Sequence, residues 1–213
     1  MKYRICTGAL LLAASLHVQA EPAPAAAQLQ TCAACHGDRG QGNPALGAPR
    51  LAGQQADYLL QQLQGFKEGR RGYDTRDSYG TQMRAVVASL DEAEFAPLAR
   101  HFAGQDLGPG SGPTVADASG KSAYQGTCAA CHGPDGGGYA LLKTPNLHIL
   151  DAAYLERQLS HYAQGVRGAD AHADQHGIWM RGISLQLAGA AERKAIVDYI
   201  GTLAAAPTPP AGH

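Results

Sequence analysis

The sequence predicts an all-α protein built from two tandem domains of similar design. Laid over itself at an offset of 96 residues, the second half of the 213-residue chain repeats the first, including TCAACHG at 31–37 and 127–133. Apolar residues recur at the three- and four-residue spacings of amphipathic helices, and no segment shows convincing strand alternation. A repeat of this kind is typical of a duplicated structural unit. Each copy is therefore expected to fold as its own small helical domain.

The first twenty residues have the composition of an export signal. Lys2 and Arg4 precede a mostly apolar run over 5–18, and small residues follow at a cleavage site after Ala20. A membrane anchor is the alternative, but the run is too short to span a bilayer comfortably and polar residues interrupt it. We therefore expect a cleaved signal peptide at 1–20, export to the periplasm, and no transmembrane segment in the mature chain.

Composition also marks the domain boundaries. The stretch GQDLGPGSGPT at 104–114 is rich in Gly and Pro, has no apolar periodicity and is typical of a linker. The C-terminal AAAPTPPAGH has a similar composition. The expected order is an N-terminal domain, a linker, a C-terminal domain and a disordered tail, at 21–104, 105–118, 119–204 and 205–213.

Apolar residues predict equivalent helices in the two copies. A helix over about 56–68 in the first copy and one over about 152–164 in the second have the apolar faces Leu59, Leu63, Phe66 and Leu155, Leu159, Tyr162. A last helix in each copy is predicted by Phe95, Leu98, Phe102 and by Ile196, Val197, Ile200. In the first copy, Ser89 and Glu92 have the spacing of a capping box, and Pro97 predicts a late start or a kink.

The two CAACH units contain all four cysteines that remain once Cys6 leaves with the signal peptide. A Cys-x-x-Cys pair alone fits a disulfide, a thioredoxin-like redox pair, half of a zinc site or a haem attachment, and a His directly after it favours haem. A zinc site would need the pairs to converge from two domains, and a thioredoxin-like pair lacks its strand-helix-strand context. We therefore predict two covalently bound haem c groups. The predicted thioether and proximal ligands are Cys32, Cys35, His36, Cys128, Cys131 and His132.

Two methionines are candidates for the distal ligands of the two irons. Apart from the initiator, the chain contains only Met83 and Met180, which lie 47 and 48 residues beyond the proximal histidines. A lone methionine is usually a core residue, but two that recur in register predict distal ligation. A thioether favours reduced iron and fills the sixth position, which suits electron transfer. The other histidines do not recur in register, and His172 and His176 are expected in an exposed polar loop.

Several other recurring residues have both a haem-related and a purely structural interpretation. Pro49 and Pro145 either rigidify the loop beside the proximal histidine or form a simple turn. Tyr58 and Tyr154 either lie near the haem or belong to an amphipathic helix. Four arginines are candidates to balance haem propionates, although a solvated surface position is expected for any one of them: Arg71, Arg84, Arg167 and Arg181. The only tryptophan, Trp179, precedes the second methionine and is expected to shield the second haem.

Three features stand out in the sequence: CAACHG in both copies, PRLAGQQADYLLQQLQGFKEGRR at 49–71, and MRGIS at 180–184. The long segment at 49–71 is far more specific than the Cys-x-x-Cys-His pattern itself. With these segments the sequence resembles the di-haem cytochrome c4 family over essentially the whole mature chain. The resemblance implies two class I cytochrome c domains related by a pseudo-twofold axis, with haem propionates facing across the interface. The chain departs from the family pattern at TQMRAV, where no proline precedes the first methionine, and at NLHILDAAYL in the second copy.

For function, the resemblance implies a periplasmic electron carrier between a bc-type complex and a terminal oxidase, and not an enzyme. A second hypothesis is the di-haem cytochrome subunit of a periplasmic dehydrogenase such as flavocytochrome c sulfide dehydrogenase, which an exposed apolar patch would favour. A third, a di-haem peroxidase or thiosulfate-oxidising enzyme, requires an open or unusual distal site. Peripheral membrane association is compatible with these hypotheses, whereas the net charge of −1 gives no basic excess for binding nucleic acid.

Overall fold

The computed structural model describes residues 23–108, 110, 118–169 and 172–203. The expected signal peptide, most of the expected linker and the expected C-terminal tail lie outside the described residues. Within them the chain is helical, and the only β-type pairing is an isolated bridge between Asn43 and Ala48. No helix in these ranges is long and apolar enough to cross a membrane. The predicted all-α fold class is confirmed.

The described part of the N-terminal domain contains four α-helices. They are α1 (Ala26–His36), α2 (Ala56–Lys67), α3 (Ser78–Ala88) and α4 (Phe95–Ala103), with a 3-10 turn at Pro44–Leu46. The core lies where α2, α3 and α4 pack, and its buried residues include Leu59, Phe66, Val87, Leu98 and Phe102. The apolar face predicted for α2 therefore points into this core.

The C-terminal domain repeats this arrangement with one local change. Its described helices are α5 (Ala118–Ala123), α6 (Ala129–His132), α7 (Ala152–Ala163), α8 (Gln175–Ser184) and α9 (Ala190–Leu203), with a 3-10 turn at Ala140–Leu142. A π-helical turn at Tyr124–Cys128 joins α5 to α6, so this segment corresponds to the uninterrupted α1. Gly120 lets α5 approach α9 closely, because a Cβ there would collide with the Ala195 carbonyl oxygen.

The start of α4 agrees with the predicted late start but differs from the predicted capping box. The capping box consists of Asp91 and Glu94, whose carboxylates accept reciprocal backbone bonds, and not of Ser89 and Glu92. Ser89 instead follows α3, and its hydroxyl donates to a carbonyl of that helix. Because α4 begins two residues before Pro97, the proline lies in the first turn, where no intrahelical N–H bond is lost.

Candidate functional site

One cavity in each domain lies beside the CAACH segment. The N-terminal cavity, of about 220 Å³, is lined among others by Cys32, Cys35, His36 and Met83. The C-terminal cavity, of about 230 Å³, is lined among others by Cys128, Cys131, His132 and Met180. The fold thus brings each predicted set of ligands together within its own domain.

The four cysteines in the described chain are free thiols. Burial raises the pKa of Cys32, and it raises the pKa of Cys128 to about 11. Burial therefore keeps the thiols of Cys32 and Cys128 from ionising readily, whereas a reactive redox cysteine is a thiolate. The two pairs also line different cavities, and no group of three or more His, Cys, Asp or Glu suited to a metal ion occurs among the described residues. These observations disfavour the zinc and thioredoxin-like alternatives.

The two predicted proximal histidines are buried at the ends of α1 and α6. Nδ1 of His36 donates to the carbonyl oxygen of Pro49 at 2.8 Å, which leaves the lone pair of Nε2 free to bind a metal. The carbonyl of Pro145 acts to raise the pKa of His132, although Nδ1 of this histidine makes no hydrogen bond of ordinary geometry. Burial lowers the pKa of both histidines. Both imidazoles are therefore neutral, the form in which histidine ligates metals.

The two methionines lie on helices whose N-termini are both capped by an aspartate. The side chain of Asp77 accepts a 2.8 Å bond from a backbone N–H in the first turn of α3, and Asp174 accepts an equivalent bond of 2.7 Å in α8. Such caps fix the start of a helix and hence the turn on which Met83 or Met180 lies. These caps were not predicted from the sequence, although an Asp precedes each methionine by six residues in both copies.

A network of polar side chains joins the two domains between the cavities. Arg71 donates to Oε1 of Gln62 at 2.9 Å and, across the interface, to Oη of Tyr154 at 3.0 Å. Arg167 donates to Oε1 of Gln158 at 2.7 Å and, across the interface, to Oε1 of Gln62 at 2.7 Å. The network is pseudo-symmetric, because the two arginines and the two glutamines are each 96 residues apart. The expected solvated surface position is wrong for both arginines, since Arg167 is buried and Arg71 is partly buried.

Part of this network forms a wall common to both cavities. Its members are Tyr58, Gln62, Arg71, Leu150, Tyr154 and Gln158. Burial raises the pKa of Tyr58, whereas at Tyr154 the two arginines outweigh burial and lower the pKa. Both tyrosines therefore lie between the cavities, and the amphipathic-helix interpretation alone does not account for them.

The residues around each cavity fit haem c. Each cavity offers two cysteine thiols, a neutral imidazole and a thioether, within mostly apolar walls. Neither interface arginine pairs with a described carboxylate, and Nε of Arg71 is buried without a hydrogen-bond partner. Because a buried guanidinium charge is costly without an anion, this positive charge suits a cofactor that has carboxylates of its own.

Three further residues differ in part from their predictions. His176 lies within α8 and not in a loop, and its Nδ1 accepts a 2.7 Å bond from Gln61 of α2, so it links the two domains. His172 is exposed, as expected. Trp179 lines the second cavity but is 59% exposed, so it shields the cavity only in part.

Comparison with known proteins finds the same protein family in both halves of the chain. The sequence matches the family model described as "Cytochrome c" over residues 22–103 and 118–204. Cytochrome c4 from Pseudomonas aeruginosa is 31% identical over 162 residues, covering 72% of this chain and 77% of that protein. The thiosulfate dehydrogenase electron acceptor from Thiomonas intermedia is 33% identical over 188 residues, covering 82% and 80%. The crystal structure of reduced recombinant cytochrome c4 from Pseudomonas stutzeri superposes with a TM-score of 0.67 at 30% identity, over 84% of this chain and 98% of that one.

Proposed function

We propose, from the premise that the chain belongs to the di-haem cytochrome c4 family, that it carries electrons in the periplasm between a bc-type complex and a terminal oxidase. The chain is a di-haem electron carrier with two covalently bound haem c groups, attached through Cys32 and Cys35 and through Cys128 and Cys131. The observation that supports the proposed role most directly is the presence of two equivalent cavities that share one wall.

The ligands that we propose for each iron are one histidine and one methionine. When bound, each haem supplies a metal centre that gains and loses one electron without a change in its covalent structure. His36 and His132 present a neutral imidazole, and in the first domain the Pro49 carbonyl holds the ring orientation. The capped helices α3 and α8 bear Met83 and Met180, which line the same cavities as the histidines. A thioether from each would complete the ligand set of its iron and would leave no open position for a substrate.

The shared wall is the proposed route of electrons between the two centres. Arg71 and Arg167 hold the glutamines and tyrosines of both domains in one hydrogen-bonded network. Their positive charge would stabilise the carboxylates of the two haems. The two redox sites are therefore held at a fixed separation, and an electron that enters at one site has access to the other.

A carbon monoxide difference spectrum of the reduced holoprotein tests this proposal. We expect no spectral change, because both irons have six tightly bound ligands in the proposed assignment. Rapid carbon monoxide binding at either haem would show an open or labile distal site. That result would contradict the carrier function and favour the peroxidase-type or thiosulfate-oxidising enzyme.

A second candidate function is that of an electron acceptor for a periplasmic sulfur-compound dehydrogenase. The specific observation that favours it is a set of exposed apolar side chains on the C-terminal domain, described below. A relative at 33% identity has the name thiosulfate dehydrogenase electron acceptor, and a flavocytochrome c sulfide dehydrogenase would need a di-haem subunit of the same design.

The two candidate functions differ in the electron donor. The holoprotein is reduced anaerobically either by a bc-type complex with quinol or by a thiosulfate dehydrogenase with thiosulfate, and the rates are compared at equal concentrations. Faster reduction by the bc-type complex supports the first function. Faster reduction by the dehydrogenase, or a complex that survives gel filtration, supports the second.

A further inference from the structure

We propose that an exposed apolar face on the C-terminal domain is the docking surface for a redox protein with an apolar centre and an acidic rim. The apolar face consists of Tyr139, Leu141, Leu142, Ile178, Trp179 and Leu185. The inference rests on the proposed electron-carrier function and adds to it the domain through which electrons enter or leave.

The apolar face lies at the mouth of the second cavity. Leu141 is 98% exposed and Trp179 is 59% exposed, which is unusual for side chains of this size. His176 connects the two segments, because its Nε2 donates to the Leu142 carbonyl at 3.1 Å and its ring packs edge-on against Trp179. Leu142 and Trp179 also line the cavity. A protein seated on the face would therefore lie directly against the second haem site.

The N-terminal domain provides an internal control for this interpretation. The residues at the equivalent positions of the repeat are Asn43, Ala45, Leu46, Thr81, Gln82 and Ala88. Only Leu46 among them is a large exposed apolar side chain. Since the N-terminal domain folds without an apolar surface at these positions, folding does not require the apolar face of the C-terminal domain.

A strained lysine lies within the apolar face. Lys143 has φ 52° and is the only residue other than glycine with positive φ in the described chain. The equivalent residue of the first domain is Gly47, for which φ is 63°. A side chain in this conformation is retained against a steric cost, which points to a function for it. Lys143 is exposed and makes no ion pair with a described carboxylate, so its charge is available to a partner.

These features together specify the chemistry of the partner. An apolar centre gives a dry contact over the cavity mouth, as in the small interfaces of electron-transfer complexes. The lysine attracts an acidic rim and speeds association. A second copy of this chain fits less well, because a twofold contact through the same face would bring the two Lys143 charges together.

Matched variants in the two domains test the assignment. Leu142 and Leu46 occupy equivalent positions and are both 47% exposed, so Leu142→Ser and Leu46→Ser remove the same apolar contact from different domains. Lys143→Gly introduces the residue of the other copy, which the loop conformation accepts. Reduction of each oxidised holoprotein by reduced soluble cytochrome b5, an acidic haem protein, is followed by stopped flow over a range of ionic strength. Ascorbate, a small reductant, provides the reference rate.

The proposal predicts a specific order of rates. Leu142→Ser lowers the second-order rate constant with cytochrome b5 about tenfold, and Leu46→Ser changes it less than twofold. Lys143→Gly lowers it about threefold to tenfold at low ionic strength and weakens its dependence on salt. Each rate constant with cytochrome b5 is divided by the rate constant with ascorbate for the same variant, because the substituted residues also line the cavities and the ratio removes any change at the haem site itself.

Four outcomes would overturn the docking surface. The first two are an equal loss of rate constant in the two leucine variants and an unchanged rate constant in all variants. The third is slow electron transfer from cytochrome b5 to the unaltered protein, although ascorbate reduces it fully. The fourth is a dimer, seen by sedimentation, that Leu142→Ser dissociates. None of them contradicts the carrier function, which fails instead if carbon monoxide binds the reduced protein. The two failures are therefore distinguishable.

Discussion

The two domains share a fold and a set of candidate haem ligands, but the loop that follows each CAACH segment has a different environment. In the N-terminal domain, Arg157 of α7 crosses the interface, donates to the Gly47 carbonyl at 2.8 Å and lies 4.5 Å from the centre of the Tyr79 ring. In the C-terminal domain, the equivalent loop ends in Lys143 and is exposed. Duplication therefore supplied two similar redox sites, and later divergence gave the surrounding loops different contacts.

The helices that bear the two methionines differ in the same way. Each N-cap aspartate also faces a side chain of the opposite domain. Oδ2 of Asp77 lies 3.7 Å from Nδ1 of His161, and Oδ2 of Asp174 accepts a 3.3 Å bond from Gln61. Both distal helices are thus held from across the interface, one by a titratable group and one by a neutral amide. The first contact is expected to depend on pH.

The largest expected effect tests whether the two ligand sets are equivalent. Met83→Ala and Met180→Ala should each leave one iron without its sixth ligand. Among the described residues, no candidate distal ligand other than the methionine occurs at equivalent positions of the two copies. Each variant is expected to bind one carbon monoxide per chain in the reduced state, and the double variant two, by difference spectroscopy.

Absence of carbon monoxide binding in only one of the two variants would break the equivalence of the domains. It would show that the affected haem has a different distal ligand.

The next effect concerns the pseudo-symmetric interface network. Arg167→Met should lower the free energy of unfolding of the holoprotein by about 3 kcal/mol, because two short bonds from a charged donor, to Gln158 and to Gln62, are lost. Arg71→Met should cost about 2 kcal/mol, since this arginine is only partly buried. Urea denaturation followed by circular dichroism measures both. The exposed Arg84→Met is the control, with an expected change within about 0.5 kcal/mol, and a cost equal to that of the interface variants would refute the network.

A smaller effect on stability distinguishes the loop at Gly47 from the loop at Lys143. Gly47→Ala should cost about 1–2 kcal/mol, because φ is positive and the added Cβ would press on the Tyr79 ring. Lys143→Gly should instead stabilise the protein by about 0.5 kcal/mol, since relief of left-handed strain is partly offset by the chain entropy of glycine. Thermal unfolding of the holoprotein measures both changes. A loss of stability in Lys143→Gly would show that the backbone at Lys143 is not strained.

The smallest effect is the pH dependence of the contact at Asp77. Burial lowers the pKa of His161 below 6.5, with Arg157, Arg167 and Arg71 acting in the same direction and Asp77 opposing them. The unfolded chain therefore binds the proton more readily, and this group removes stability as the pH falls through about 6.5. His161→Gln should flatten the stability curve between about pH 7 and pH 5.

Urea midpoints across this pH range measure the effect, with the exposed His172→Gln as the control. Identical pH dependence in the two variants would show that His161 does not contribute.

Much of the fold was predictable because the signals are local. Helix α2 was predicted over about 56–68 from Leu59, Leu63 and Phe66 and is observed over Ala56–Lys67. The capping box was misplaced by two residues, because Ser89 and Asp91 both offer a side-chain oxygen near the start of α4 and sequence spacing alone does not choose between them. His176 was assigned to a loop because its neighbours are polar, whereas the cap at Asp174 extends the helix over it.

The sequence by itself determined the duplication, the helical class and the two pairs of cysteines that attach haem, because each rests on residue type and spacing that are visible along the chain. Only the tertiary structure decided which contacts the two copies make with each other. Arg71 and Arg167 look like surface residues in the sequence, since a charged side chain carries no local sign that another domain will cover it. The same limit applies to the apolar face around Lys143. Whether a side chain is buried or exposed depends on the packing of segments far apart in the chain, which local periodicity does not encode.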